Sequence, residues 1–151
     1  MAKHRPNSLY AEIPKSLTSY EDGFQKVTYA NLANATNGLA HYIYHTLGPG
    51  ENFQTLAYIG MNDIRYNALI LAAIMITTNP ALPMVPGIVD ACGLRMIHTP
   101  SLEDLLEKTY DHFPYHKTFA QARAEPLAVL HTSGTTSLPK PIIWTHDFAA
   151  S

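Results

Sequence analysis

Apolar residues recur at changing spacings along this chain, and the places where the spacing changes mark its elements. Residues 1–20 show no period and carry Pro6 and Pro14, so they are expected to form a loose leader ahead of a domain over residues 21–151. Phe24–Thr28 (FQKVT) reads as a short strand. Thr28 is placed to cap a helix, because its hydroxyl accepts from an orphan N–H of the first turn. From Tyr29 onward Leu32, Ala35, Leu39, Ile43 and Leu47 fall at the three-to-four-residue spacing of one buried helical face. Gly48 and Pro49 stop that helix.

The next apolar run, Thr55–Ile59 (TLAYI), has the aromatic and branched residues of a strand and ends at Gly60. Asn62 or Asp63 then caps a second helix, apolar nearly all round as far as Ile76, and such a helix belongs inside a protein. Asn79, Pro80, Pro83, Pro86 and Gly87 break the chain repeatedly. Leu94–His98 (LRMIH) reads as a strand. Ser101-Leu-Glu-Asp104 has capping-box spacing and opens a short amphipathic helix through Lys108. After a polar, aromatic-rich connection, Leu127–His131 (LAVLH) and Lys140–Trp144 (KPIIW) are extended, and Thr145 can cap a final helix. Strands alternating with helices predict an α/β fold with crossover connections and no internal repeat.

Composition narrows the function without naming one. The 151 residues are 46% hydrophobic and 15% charged with a net charge of −2, which fits a single globular core. No basic stripe suits nucleic acid and no polybasic patch suits a membrane surface. The longest apolar run, Ala68–Ile76, is about half of what a bilayer crossing needs. Residues 1–15 lack the apolar core and cleavage site of a secretory signal. A single cysteine, Cys92, excludes an internal disulfide and fits a reducing compartment, so a cytoplasmic location is expected.

The chemistry concentrates in HTSGTTSLPKPI, His131 to Ile142. Successive backbone N–H groups in a Ser/Thr/Gly turn form a concave anion site, and Gly134 lets a phosphate oxygen approach the backbone. Thr132, Ser133, Thr135, Thr136 and Ser137 add hydroxyl donors, and Lys140 adds a positive charge for a terminal phosphate. A Walker A loop is excluded: it needs a glycine immediately before the lysine, Ser or Thr after it, and then a helix. Here Pro139 and Pro141 flank Lys140 and the chain continues as Ile142-Ile143-Trp144. The lysine leaves on a hairpin-like path.

The complete string Thr132-Ser-Gly-Thr-Thr-Ser-Leu-Pro-Lys140, entered from an apolar strand, resembles the phosphate-loop signature of the adenylate-forming superfamily, which includes acyl-CoA synthetases, luciferases and peptide-synthetase adenylation domains. Ser137 stands where glycine is the commoner choice. VLHTSGTTSLPKPIIWTH is most similar to fungal synthetase-like reductases, as are VTYANLANATNGLAHYI, FQTLAYIGMNDIRYNALILAAI, SLEDLLE and the Tyr115–Phe119 region, so the resemblance runs from about Phe24 to Ser151. It implies a partial N-terminal subdomain of the adenylate-forming fold with an incomplete sheet. It also implies ATP with magnesium as cofactor, and a carboxylic acid converted to acyl-AMP and then taken up by a pantetheine thiol. Thr132, Ser133, Gly134, Thr135, Thr136 and Lys140 would be the phosphate contacts. Catalysis of this kind rests on positioning and on stabilising developing charge.

No residue of this sequence matches the family's aromatic-Gly-x-Thr-Glu motif, its ribose aspartate or its late lysine. The stretch between Ile76 and Ala91 is also shorter than the family's. The expectation is a truncated adenylation domain, inactive alone, with no catalytic residue and no metal ligand assigned. The alternatives are a non-catalytic regulatory partner of a full adenylation enzyme, and one part of a split enzyme whose missing lobe a protein partner supplies.

Other residues are expected to be structural. His41 and His45 have the i, i+4 spacing of a metal pair, but position 42 is Tyr and no third ligand is evident, so two surface histidines are expected. Asp111, His112 and His116 are read as a surface connection. His131 borders the loop either as a phosphate contact or as a packed strand end, Cys92 is read as a small hydrophobe, and Trp144 and His146 as packing.

Overall fold

The computed structural model describes residues 1–16, 19–50, 57, 58, 60, 63–72, 85–93, 96–131 and 140–151. The chain divides into two compact units, Met1–Phe113 and Pro114–Ser151.

The first unit opens with β1 (Leu9–Pro14), paired antiparallel with β2 (Phe24–Thr28). Leu9–Pro14 lies inside the segment expected to be loose, so most of the leader reading is corrected. The turn between the strands closes at Gly23, whose positive φ of 76° suits glycine. Pairing puts Ile13 and Val27 on one buried face. A bulge between Leu9 and Ala11 interrupts the alternation, which hid the strand from a reading by period.

Next comes α1 (Tyr29–Leu47), with Leu32, Ala35, Leu39 and Ile43 buried as the spacing predicted. Its first turn is fully provided for. Tyr29 N–H donates to Ser8 O at 3.1 Å and Ala30 N–H to Pro6 O at 2.9 Å. Asn31 N–H donates to Thr28 Oγ1 at 3.2 Å, while Asn31 Oδ1 accepts from Thr28 N–H at 2.9 Å. The leader therefore satisfies helix N–H groups that would otherwise be orphaned. At the other end Gly48, at φ 82°, donates to Tyr44 O.

The second helix, α2 (Ile64–Ala72), buries Ile64 and Ala68 in the same core while Tyr66 stays exposed. Asp63 is its cap, accepting from Arg65 N–H at 2.9 Å. The Arg65 side chain is buried and closes back on Asp63 through Nε at 3.0 and 3.1 Å. Burial opposes the guanidinium charge, but the hydrogen bond and charge of Asp63 outweigh it and hold Arg65 above its usual range. Burial, reinforced by the Asp63 charge, pushes the Tyr58 phenol up to about 12, from an ordinary 10.0. A group whose folded pKa is raised contributes stability below its unfolded value and loses it as pH rises through the folded one. Titration followed by tyrosinate absorbance should therefore show Tyr58 ionising near 12, with its contribution to stability draining away between about pH 10 and 12. Ionisation of every tyrosine near 10 in the folded protein would contradict this environment.

Residues 85–92 correct another expectation, because Val85–Cys92 forms a helix, α3, across Pro86 and Gly87. Proline is tolerated in a first turn, where its missing N–H has no intrahelical partner to lose. Of the expected strand 94–98, residues 94 and 95 lie outside the described residues, Met96 and Ile97 are not in a strand, and His98 makes an isolated bridge. The expected strand at 55–59 and the helix beyond Ala72 lie largely outside the described residues. Ala57 and Tyr58 themselves are not in a strand.

Helix α4 (Leu102–Glu107) begins at Ser101, whose hydroxyl accepts from Asp104 N–H at 3.0 Å, and buries Leu105. Around it the segment 98–113 is held against one face of α1 by its backbone. Asn34 Nδ2 donates to Leu105 O at 2.9 Å and Lys108 O at 2.8 Å, and Asn34 Oδ1 accepts from Tyr110 N–H at 2.9 Å. Asn37 Oδ1 accepts from Phe113 N–H at 3.1 Å, and Tyr42 O–H donates to His98 O at 2.6 Å. Asn34, Asn37, Gly38, His41 and Tyr42 share a face by the i, i+3, i+4 rule. The helix thus has two working faces, one apolar and one that reads backbone.

The second unit holds α5 (Phe119–Ala122), β3 (Pro126–His131), β4 (Pro141–Thr145) and α6 (His146–Ala150). Among the described residues both sheets are two-stranded and antiparallel, so the expected crossover connection is not seen there. The short α5, in the polar, aromatic-rich connection ahead of β3, is opened by Thr118 with Gln121 folding back on its N–H at 2.8 Å.

Candidate functional site

The candidate phosphate loop sits on the β3–β4 hairpin. Val129 faces Ile143, Leu130 faces Ile142, and His131 faces Pro141, so residues 132–140 connect two strand ends that are held opposite one another. Pro141 does not interrupt the pairing, because it is the first residue of β4, a position where proline is tolerated in a strand. The extended path of Ile142-Ile143-Trp144 that excluded a Walker A loop is present.

Of the predicted phosphate contacts, Thr132, Ser133, Gly134, Thr135 and Thr136 lie outside the described residues. Lys140 is described: it is exposed and immediately precedes β4, at the mouth of the hairpin. A lysine on the residue immediately before a paired strand has its backbone placed by that strand, and its ammonium is of the type that pairs with a phosphate.

The base of the hairpin is braced by contacts the sequence did not reveal. Lys117 Nζ reaches Glu125 Oε1 at 2.6 Å, just ahead of β3, and this hydrogen bond holds the Lys117 ammonium above its usual range. Arg123 meets both oxygens of Asp147 at 3.2 and 3.0 Å. His146 N–H donates to Glu125 O and Asp147 N–H to Arg123 O, at 3.3 and 2.9 Å, so the start of α6 is tied to the turn before β3. Thr145 caps α6 through Phe148 N–H at 3.2 Å, as its position predicted. Trp144 packs edge-on against Phe148 with centroids 5.0 Å apart. The bracing ion pairs join residues 8 and 24 positions apart, beyond any local spacing rule. Both pairs are exposed enough that their value is positional more than energetic.

His41 and His45 lie on α1 with stacked rings, and His41 Nε2 contacts Asp111 O at 3.1 Å. Among the described residues no group of three or more His, Cys, Asp or Glu comes together to hold a metal. Among them, too, no helix is long and apolar enough to cross a membrane.

No family model matches the chain. It is 30% identical over 174 aligned residues to a carboxylic acid reductase of Neurospora crassa, covering 94% of this chain and 16% of the reductase. It is 30% identical over 155 residues to an isocyanide synthase–NRPS hybrid, crmA, of Aspergillus fumigatus, covering 82% of this chain and 10% of that protein. The chain thus spans a small part of the length of the relatives it matches. Its fold is shared with the N-terminal domain of FACL13 from Mycobacterium tuberculosis, with a TM-score of 0.66 and 18% identity over 96% of this chain and 42% of that one. The N-terminal subdomain of NpsA from Klebsiella oxytoca aligns with a TM-score of 0.55 and 20% identity, over 96% and 40% of the two chains. ATP-bound MatB from Rhodopseudomonas palustris gives 0.52 at 15% identity, over 93% and 33%. With the loop signature entered from β3 and left along β4, these similarities converge: the chain belongs to the adenylate-forming family, as the N-terminal part of an adenylation domain related to those of fungal synthetase-like carboxylic acid reductases.

Proposed function

We propose that the β3–β4 hairpin holds the β- and γ-phosphates of Mg-ATP, as the phosphate-binding part of a domain that activates a carboxylic acid as its acyl-adenylate. The observation that carries this reading is Thr132–Lys140 suspended between paired strand ends, with Lys140 exposed at the mouth. The donor set fits the group: hydroxyls and a glycine backbone for oxygen atoms, and one lysine for charge. Magnesium would offset the charge that a single lysine leaves on a triphosphate. When bound, ATP would supply the α-phosphate that a carboxylate attacks, with pyrophosphate as the leaving group. This chain's residues bind and orient the β- and γ-phosphates that leave.

On this reading the part assigned to these residues is binding and orienting the nucleotide's phosphates. Calorimetric titration tests the assignment. Lys140→Ala should weaken Mg-ATP binding by about 1.5–3 kcal/mol, the range for a charge-assisted contact, with the circular dichroism unchanged. Equal affinity in the variant would remove Lys140 from the site.

A second reading, a protein partner carrying the remaining motifs, is favoured by one feature. Val129, Ile142 and Ile143 leave both faces of the β3–β4 ribbon apolar and exposed, at 45%, 45% and 64%. A ribbon of that kind suits burial within a larger sheet.

A further inference from the structure

The β3–β4 ladder changes register once. From His131–Pro141 back to Ala128–Trp144 the two strands pair residue for residue, and then Pro126 faces Thr145, so Leu127 is an extra residue bulged out of the ladder. A bulge bends its strand and increases the twist, at the cost of local pairing. Burial does not impose this one. Ile142 and Ile143, neighbours on β4, point to opposite faces and are both exposed, and a ribbon that buries neither face specifies its register only weakly.

Charge does impose it. Continued without the bulge, the ladder would set Leu127 against Thr145 and, two places on, Glu125 against Asp147. Like charges directly opposite are destabilising. With the bulge, Asp147 instead meets Arg123 at 3.0 and 3.2 Å, and Glu125 meets Lys117 at 2.6 Å. His146 N–H donates to Glu125 O at 3.3 Å, so the bulged register carries on beyond the strand ends. Each exposed ion pair is weak singly, but attraction in one register and repulsion in the other act in the same direction.

We propose that the Leu127 bulge aims the Thr132–Lys140 loop, and that Leu127, Arg123 and Asp147 are positioning residues for the phosphates it holds. This rests on the reading of that loop as a phosphate site. The twist of a two-stranded ribbon sets the angle between its strands, and therefore where Lys140 stands relative to His131, from which the loop departs.

Two variants of the full chain separate register from affinity. Deleting Leu127 removes the bulge and leaves every facing pair as it is. Asp147→Arg reverses the charge preference, repelling Arg123 and attracting Glu125 across the straight register. By NMR, Thr145 should face Leu127 rather than Pro126 in Asp147→Arg, and the ribbon amides should exchange more slowly in the Leu127 deletion, because a straight ladder is better paired. Calorimetry should show Mg-ATP binding about tenfold weaker in both, the worth of one charge-assisted contact. A merely structural bulge would not weaken binding while the ribbon gains pairing. A Leu127 deletion that binds Mg-ATP like the wild type, or an Asp147→Arg chain that keeps Pro126 opposite Thr145, would overturn the proposal. A wild-type chain that fails to bind Mg-ATP would instead remove the loop from the nucleotide site, and the role of the bulge with it.

Discussion

Gly38→Ala is expected to destabilise the Met1–Phe113 unit by about 1–3 kcal/mol, although alanine is the better helix former. Within a helix the exchange normally gains about 0.5–1 kcal/mol. The sign reverses here because a Cβ on Gly38 would stand 2.7 Å from Tyr110 Cε2, with Cδ2 at 2.8 Å and Cζ at 2.9 Å. The ring has little room to yield. Its hydroxyl donates to Asp104 O at 3.3 Å and its backbone N–H to Asn34 Oδ1 at 2.9 Å. Urea unfolding checks the magnitude, and a double-mutant cycle checks the cause. In a Tyr110→Ala background the same Gly38→Ala change should become stabilising by about 0.5–1 kcal/mol, because only the helix propensity remains. Gly38→Ala that stabilises the wild-type chain would contradict the packing of Tyr110 on α1.

Asn34→Ala is expected to cost about 2–4 kcal/mol. It removes the donors to Leu105 O and Lys108 O and the acceptor for Tyr110 N–H, each worth about 0.5–1.5 kcal/mol net. Asn34→Asp should do no better. A carboxylate still accepts from Tyr110 N–H, but its second oxygen faces two carbonyls with no proton to offer. Amide hydrogen exchange gives a local readout: Tyr110 N–H should lose protection in Asn34→Ala and keep much of it in Asn34→Asp. A fully stable Asn34→Asp would show that the amide is not what holds the 98–113 segment.

These two residues mark where sequence reading reached and where it stopped. The apolar face of α1 was legible because Leu32, Ala35, Leu39 and Ile43 follow the helical period, and burial is what that period records. The caps at Thr28, Ser101 and Thr145 were legible because each donor is three residues away in sequence. The second face of α1 was not. Asn34 and Asn37 act on backbone atoms, and Gly38 on the Tyr110 ring, some 70 residues further along the chain, and neither kind of contact has a local sequence signature. β1 was missed because the bulge between Leu9 and Ala11 breaks its alternation, and the segment ahead of it because Pro6 O and Ser8 O serve α1 through carbonyls that every residue possesses. α3 was missed because Pro86 and Gly87 read as breakers, and only their place in the first turn makes them harmless. The candidate site was legible as a string of residue types at Thr132–Lys140, whereas its braces, Lys117–Glu125 and Arg123–Asp147, were not.

The central claim is that Thr132–Lys140 is a working phosphate loop, and equilibrium unfolding in urea with Mg-ATP or with AMP tests it most directly. A ligand that binds only the native state stabilises it by about 2.7 kcal/mol at a free concentration about a hundred times Kd. The account predicts that Mg-ATP moves the wild-type transition to higher urea, that AMP moves it far less because it lacks the β- and γ-phosphates, and that Lys140→Ala loses most of the Mg-ATP shift. A transition that Mg-ATP leaves in place, or that AMP moves as far, would contradict it.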